Sequence, residues 1–214
     1  MKHPKISDAV VRRLPMYLRY LNDLAKSGVQ TVSSQDLGNR LDLNPAQIRK
    51  DLAYFGEFGK KGIGYDVAYL IDKIKSILKL DQEIRVALAG AGNLGRALCN
   101  YNSYLKDNLR ISAVFDASPS RIGEQINHLV IQPMDELKDT VREQQIRIGI
   151  ITVPAQEAQT VAEQFVDAGV EGIMNFAPVI IRVPAHIRVH YGDFTSDLQS
   201  LAYYLNRKEM EEEE

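Results

Sequence analysis

The chain has 214 residues, 45% hydrophobic and 25% charged, with one cysteine, Cys99. That composition belongs to globular proteins and excludes a disordered chain, a collagen-like repeat, a coiled-coil rod, a disulfide framework and a multi-cysteine metal site. The net charge of −2 hides a split: residues 1–80 hold 14 Lys/Arg against 8 Asp/Glu, net +6, and residues 81–214 hold 12 against 20, net −8.

Such asymmetry predicts a basic module suited to a polyanion, joined to an acidic one. At about 150 residues per domain the chain holds one to two domains. No apolar run nears the roughly 18 residues of a membrane span. The start, Met1-Lys2-His3-Pro4-Lys5, lacks the apolar stretch of a secretory signal. The expectation is a soluble, cytoplasmic α/β protein that binds no metal.

In the basic segment, Leu14, Leu18, Leu21 and Ala25 recur at helical spacing. Pro15 is expected in the first turn of that helix, which ends at Ser27-Gly28. Ser33 and Asp36 form a capping box for a short second helix over about 35–41. Asn44-Pro45 starts a third helix as N-cap and first residue. Two short helices joined by about three residues are the spacing of a helix-turn-helix. On the third helix, Ile48, Leu52 and Phe55 share an inward face. Ala46, Lys50 and Ala53 fall opposite, flanked by Gln47 and Arg49, and Tyr54 joins these as a candidate DNA contact. Cations and amides among small residues suit a major groove: Arg and Lys reach guanine or phosphate, and Gln pairs with adenine. A solvated helix face is the alternative. The next stretch, Gly56 to Tyr65, sets four glycines around Lys60 and Lys61, with Gly62 in the turn. Such a loop approaches phosphates closely and reads as the wing of a winged helix. A further helix over 67–80 closes the module, and Asp81-Gln82-Glu83 is its boundary.

The acidic segment opens with an apolar strand, Ile84 to Ala89, that runs into Gly90-Ala91-Gly92-Asn93-Leu94-Gly95 and then a helix. Strand, G-x-G-x-x-G and helix in that order are the fingerprint of a dinucleotide-binding Rossmann unit. The helix N-terminus offers free N–H groups to a pyrophosphate. A second strand, Arg110 to Phe115, ends in Asp116, 21 residues past Gly95. A carboxylate there accepts from a ribose 2′-OH and repels a 2′-phosphate, favouring NAD(H); Arg121 nearby could accommodate that phosphate instead. Asp116 as a plain strand-end turn former is the other reading. Helix 134–144, strand 147–152, helix 155–168, strand 172–176 and strand 187–191 continue the alternation, which predicts a parallel sheet covered on both faces. Two exits, Thr152-Val153-Pro154 and Asn175-Phe176-Ala177-Pro178, lie at strand carboxyl ends. Each is either part of a nicotinamide pocket or a strand-end turn.

Asp193 to Asp197 starts a last helix with Leu198, Leu201, Ala202 and Leu205 on one side, followed by the acidic residues 209–214, expected to be disordered. That helix either packs on its own domain or docks on a partner subunit.

With the winged helix, the stretch from Arg49-Lys50-Asp51-Leu52 to Tyr65, the loop Gly90–Gly95 and Asn175-Phe176-Ala177-Pro178 in this order, the chain closely resembles the Rex family of bacterial redox-sensing transcriptional repressors. The resemblance covers about residues 5–208. It implies an N-terminal winged-helix domain (1–80), a Rossmann-type parallel-sheet domain binding NADH and NAD+ (81–191), and a terminal helix (192–208) exchanged between the subunits of a homodimer. The partner it implies is an inverted-repeat operator in double-stranded DNA, released when NADH binds. It maps Gln47, Arg49 and Lys50 onto the recognition helix, Lys60 and Lys61 onto the wing, and Gly90–Gly95 with Asp116 onto the dinucleotide. Phe194 and Tyr101 are expected to sense the nicotinamide, and Asp193 to pair with a first-helix cation such as Arg19 of the other subunit. A helix cap and a core aromatic are the plainer readings.

The rival is an NAD-dependent dehydrogenase with a basic extension. Hydride transfer usually needs a proton donor near the substrate, and none of His3, His128, His186 and His190 stands in an evident site motif. Cys99 reads as a packed small side chain. The expectation is a non-enzymatic sensor, with a CoA- or nucleotide-sensing DNA binder as the third reading.

Overall fold

The computed structural model describes residues 7–54, 56, 59–60, 64–101 and 108–212, with 59, 60 and 206–212 as backbone only. They fall into two compact units divided between Gln82 and Glu83.

The first helix, α1, spans Asp8–Lys26, its N-terminus capped by Ser7. It begins seven residues before Pro15, which therefore lies inside the helix and not in its first turn. The apolar repeat that starts at Leu14 already begins one turn earlier with Val10, and the stripe Val10, Leu14, Tyr17, Leu18, Leu21 is buried. Burial of five large side chains carries the helix through a residue that costs about 3 kcal/mol in a helix interior. A two-residue strand, β1 (Thr31–Val32), follows. The helix α2 (Ser34–Leu41) starts at the reciprocal Ser33–Asp36 capping box. Asn44 caps α3 (Pro45–Ala53), with Pro45 at the first turn. Ile48 and Leu52 are buried as the spacing predicts; Phe55 lies outside the described residues. The strands β2 (Gly59–Lys60) and β3 (Gly64–Asp66) pair antiparallel, and β1 joins β3 on its other side. A helix α4 (Val67–Ile77) then packs Val67, Leu70, Ile71 and Ile74 into the same core as α1, α2 and α3.

The second unit is a seven-stranded sheet. In chain order the strands are β4 (Ile84–Ala89), β5 (Leu109–Asp116), β6 (Gln125–Ile126), β7 (Leu129–Pro133), β8 (Ile148–Ile151), β9 (Gly172–Asn175) and β10 (Arg188–Tyr191). Their spatial order is β10-β9-β8-β4-β5-β7-β6. All pairs are parallel except the edge hairpin β6–β7, a short element that carries too few alternating residues to be read beforehand. Along β4 the burial alternates with period two. Val86 and Leu88 join Cys99 of α5 (Asn93–Tyr101) on one face, and Ala87 and Ala89 join Phe165 of α7 (Ala155–Ala168) on the other. The helix predicted over 134–144 is a 3₁₀ turn at Met134–Glu136 leading into α6 (Leu137–Glu143). The chain steps outward from β4 to β5 and β7, then crosses back to place β8 on the other side of β4. A crevice forms where the strand order reverses in this way.

The last helix, α8, spans Phe194–Glu212. It takes in residues 209–212 of the acidic stretch expected to be disordered, and 213 and 214 lie outside the described residues. Glu, Lys, Arg and Met are all strong helix formers, which outweighs the repulsion of a short acidic run.

Candidate functional site

The crevice beside β4 is about 480 Å³ and is lined by Gly90 and Gly92, by Asp116 with Arg121, and by Thr152, Val153 and Pro154 among others. Three glycines shape the loop in three different ways. Gly90 has φ +105°, and a Cβ there would lie 2.7 Å from the Thr152 carbonyl carbon. A Cβ on Gly95 would lie 1.9 Å from the Gly90 oxygen. Gly92 is different: a Cβ there meets nothing within 4 Å. The first and third glycines are therefore required by the protein itself, and the second leaves space in the crevice.

Asp116 is buried and holds this loop. Its Oδ2 accepts from the backbone N–H of Ala91 at 2.7 Å and from Arg121 Nη1 at 3.1 Å, while Oδ1 accepts from the Ser118 N–H at 2.8 Å. One acceptor position remains on Oδ1, open to a hydroxyl. The guanidinium of Arg121 is thus paired with the very carboxylate it was set against in the sequence. The Thr152 hydroxyl lies 2.7 Å from the Gly90 carbonyl oxygen and 3.1 Å from that of Ala89, fixing the end of β8 to the loop. Arg96 was not foreseen. Its Nε donates to the Ala91 carbonyl at 3.1 Å and its Nη2 pairs with Glu124, so one side chain braces the start of α5 against the glycine loop. An arginine in the first turns of a helix reads as solvated until the fold brings Glu124 to it.

A second cleft, about 890 Å³, runs along the neighbouring strand ends and is lined by Leu94, Asn175, Phe176, Pro178, Tyr191, Asp193 and Phe194 among others. The buried Asn175 amide is committed to its own loop: Nδ2 donates to the carbonyls of Val179 (2.8 Å) and Ala177 (3.2 Å), and Oδ1 accepts from the Ala177 N–H. Phe176 lies against Gly192, where a Cβ would stand 2.5 Å from the ring. Phe194 is 73% exposed at the cleft edge. Tyr101, 59% exposed at the end of α5, lines neither cleft. Asn93 opens α5 on the exposed side of the loop. Asp193 caps α8, accepting from the N–H groups of Thr195 (3.0 Å) and Ser196 (3.1 Å); the Ser196 hydroxyl bond, with these, holds its carboxyl below the usual range.

In the first unit, α3 presents the exposed Arg49, Lys50 and Tyr54. Arg49 Nη1 donates to Ser34 Oγ at 2.9 Å, at the start of α2. Burial pushes the Tyr65 phenol up, with Arg49 pulling the other way. Arg19 is exposed on α1. Of the wing residues, Lys60 is described as backbone within the hairpin, and Lys61 and Gly62 lie outside the described residues.

Gln47, expected to read bases, is half-buried and donates from Nε2 to Asp51 Oδ1 at 2.6 Å. Asp51 is the residue the sequence reading passed over. Its carboxylate is 0% exposed and also accepts Arg13 Nε at 2.6 Å, Arg13 Nη2 at 2.8 Å and the Tyr17 hydroxyl at 2.7 Å. Burial alone would raise this carboxyl; the hydrogen bonds from Arg13, Tyr17 and Gln47 outweigh it and hold it below the usual range. The signal was present: Asp51 falls three residues after Ile48, on the apolar stripe, and a carboxylate there is almost never buried unpaired.

Among the described residues no group of three His, Cys, Asp or Glu is placed to hold a metal ion, and no helix is long and apolar enough to cross a membrane.

Comparison with known proteins bears on both units. Residues 81–179 match the family model "CoA binding domain", and residues 5–53 match "Putative DNA-binding protein N-terminus". The chain is 62% identical over 204 residues to the redox-sensing transcriptional repressor Rex of Brevibacillus brevis (strain 47), covering 95% of this chain and 99% of that one. It is 47% identical over 207 residues to Rex of Syntrophobacter fumaroxidans, covering 96% and 99%. Among solved structures, RSP in complex with β-NAD+ and operator DNA matches with a TM-score of 0.90 at 35% identity, covering 98% of this chain and 97% of that one. RSP in complex with β-NADH matches at 0.88 and 34%, covering 98% and 99%.

Proposed function

The chain belongs to the Rex family of redox-sensing transcriptional repressors, and we infer from this how its two units share the work. It is a regulator rather than an enzyme, a repressor that binds operator DNA and responds to NADH and NAD+. The observation that carries the reading of the crevice is the unfilled space at Gly92, beside the carboxyl ends of β4 and β8.

The residues present fit a dinucleotide. The backbone of Gly90–Gly95 and the start of α5 would hold the diphosphate, since helix N-terminal N–H groups and the helix dipole both favour an anion. The remaining acceptor on Asp116 would take a ribose hydroxyl. Thr152, Val153 and Pro154 would bound the same crevice. Leu94, Phe176, Pro178 and Phe194 would bound the nicotinamide end, with Asn175 shaping that loop from beneath. When bound, the coenzyme supplies a nicotinamide that is cationic when oxidised and neutral when reduced, a difference the apolar second cleft can discriminate.

On DNA, Arg49, Lys50 and Gln47 of α3 would face the major groove, with Tyr54, Lys60, Lys61 and Gly62 on the backbone. The large apolar side chains of α8 are exposed, Leu198, Leu201, Tyr203, Tyr204 and Leu205 among them. That supports exchange of this helix with a second copy in a homodimer, which an inverted-repeat operator requires. A DNA-bound regulator of this kind would work in the cytoplasm. NADH shifts such a dimer only by binding the DNA-released arrangement better than the DNA-competent one. Tyr101, Asp193 and Arg19 are the side chains proposed to register the change, with Asp193 exchanging its capping bonds for a cation of the other subunit.

Gel shifts on inverted-repeat DNA with NADH, NAD+ and NADPH titrated separately test the reading. Release by NADH well below the concentration at which NADPH acts supports it; equal release by NADPH contradicts the role of Asp116. The same titration on Asp193→Ala tests the switch: NADH release unchanged from the parent protein overturns it.

A further inference from the structure

We propose that Asp51 is a specificity-positioning residue that orients the Gln47 amide for the major-groove edge of an adenine. This rests on α3 being the helix that reads DNA.

The geometry is specific. Both Asp51 oxygens are filled, each accepting two hydrogen bonds: Oδ2 from Arg13 Nε and Tyr17, Oδ1 from Arg13 Nη2 and Gln47 Nε2. Arg13 and Tyr17 stand on α1, so the carboxylate fixes the rotation of α3 about its own axis against α1, whose apolar stripe is buried. Gln47 lies one turn before Asp51 and gives one of its two amide hydrogens to it. What remains on Gln47 is one N–H hydrogen and Oε1. A donor and an acceptor on one planar amide are what adenine N7 and N6 together require. A free glutamine on a helix surface must give up several rotamers to make that pair; this one is already held at its amide nitrogen, so less freedom is lost on binding. A plain structural staple between α1 and α3 would need Arg13 and Asp51 but would not need a bond to Gln47 on the outer side.

The test uses the full chain and the inverted-repeat DNA it selects from a randomised pool, with every half-site position substituted in turn. The parent protein is expected to lose roughly tenfold in affinity when one particular A·T pair is replaced. In Gln47→Ala and Asp51→Asn that position becomes flat while preferences elsewhere in the half-site persist. Tyr17→Phe removes one of the four bonds and leaves the ion pair, so it decides the matter should the Asn variant not fold; it is expected to weaken preference at the same position. An unchanged profile in Gln47→Ala, in a folded Asp51→Asn or, where Asp51→Asn does not fold, in Tyr17→Phe, overturns the proposal. Lys50→Ala and Arg49→Ala test the role of α3 separately: if both bind all DNA as the parent does, α3 is not the reading helix. If they weaken binding while the adenine position keeps its preference in the other variants, only the role of Asp51 fails.

Discussion

Asp116 and Ala91 are joined by a hydrogen bond of 2.7 Å from the backbone N–H to the carboxylate Oδ2, which ties the end of β5 to the glycine loop after β4. One carboxylate thus shapes the loop from one oxygen and keeps an acceptor position on the other. The ion pair to Arg121 sits on the loop-holding oxygen.

Replacing that carboxylate therefore has two consequences. In Asp116→Asn the loop loses a charged acceptor, and Arg121 loses its counter-charge beside the expected ribose. Hydrogen bonds to charged groups contribute about 1.5–3 kcal/mol, so NADH affinity falls roughly tenfold or more. Arg121 then becomes available to a 2′-phosphate, and the preference for NADH over NADPH shrinks by a similar factor. Calorimetric titration with the two coenzymes reads both numbers; an unchanged preference would show that Asp116 does not meet the ribose.

The three loop glycines should separate by what their substitution damages. Gly95→Ala drives a methyl into the Gly90 carbonyl and lowers the melting temperature by about 5 °C, the scale of a 1–3 kcal/mol overpacking cost in a chain of this size. Gly92→Ala meets nothing in the protein, so its melting temperature stays near that of the parent while NADH binding weakens by more than about tenfold. Scanning calorimetry with and without NADH distinguishes the two, and a Gly92→Ala protein with full affinity would remove the crevice assignment.

Cys99 is expected to be inert. Burial pushes its thiol up to about 11, so near neutral pH almost none is thiolate, the reactive form. Iodoacetamide labelling of the native protein should proceed only as fast as the protein opens, and peroxide should leave operator binding unchanged. Rapid labelling of the folded chain would point instead to a thiol input beside the coenzyme.

The Asp51 network predicts acid sensitivity. Its folded carboxyl lies below the unfolded value of about 3.9, so its stabilisation is present above that pH and is lost as pH falls through the folded value. Near neutral pH, Asp51→Asn should destabilise the first unit by about 3–5 kcal/mol, because Arg13 is left without its partner. The gap to the parent should narrow on acidification from about pH 5 toward pH 2. A gap that stays constant over that range would mean that the charge of Asp51 is not what stabilises the unit.

Local signals in the chain were legible where a side chain meets its own backbone: the Ser33–Asp36 capping box, the Asn44-Pro45 start of α3 and the glycine loop all stand as their spacing implies. What escaped depends on distant partners. Nothing near Asp51 announces Arg13, thirty-eight residues away, and Arg96 acquires meaning only through Glu124, twenty-eight residues on. The start of α1 was misplaced because Pro15 is a local stop signal, overruled by the buried stripe from Val10. The edge strands β1 and β6 are two residues each, too short for a period to show. Asn175 lines the second cleft, and that its amide is spent within its own turn is a matter of rotamer rather than of sequence.

A sensor of this kind requires that the coenzyme crevice and the DNA-reading helix be coupled, and coupling is reciprocal. NADH affinity should therefore be measured on the full chain with and without saturating inverted-repeat DNA. Occupied DNA is expected to weaken NADH binding by the same factor by which NADH weakens DNA binding, on the order of 5–150-fold. Equal NADH affinity in the two conditions would mean that the two sites do not communicate and that this chain does not sense NADH through its grip on DNA.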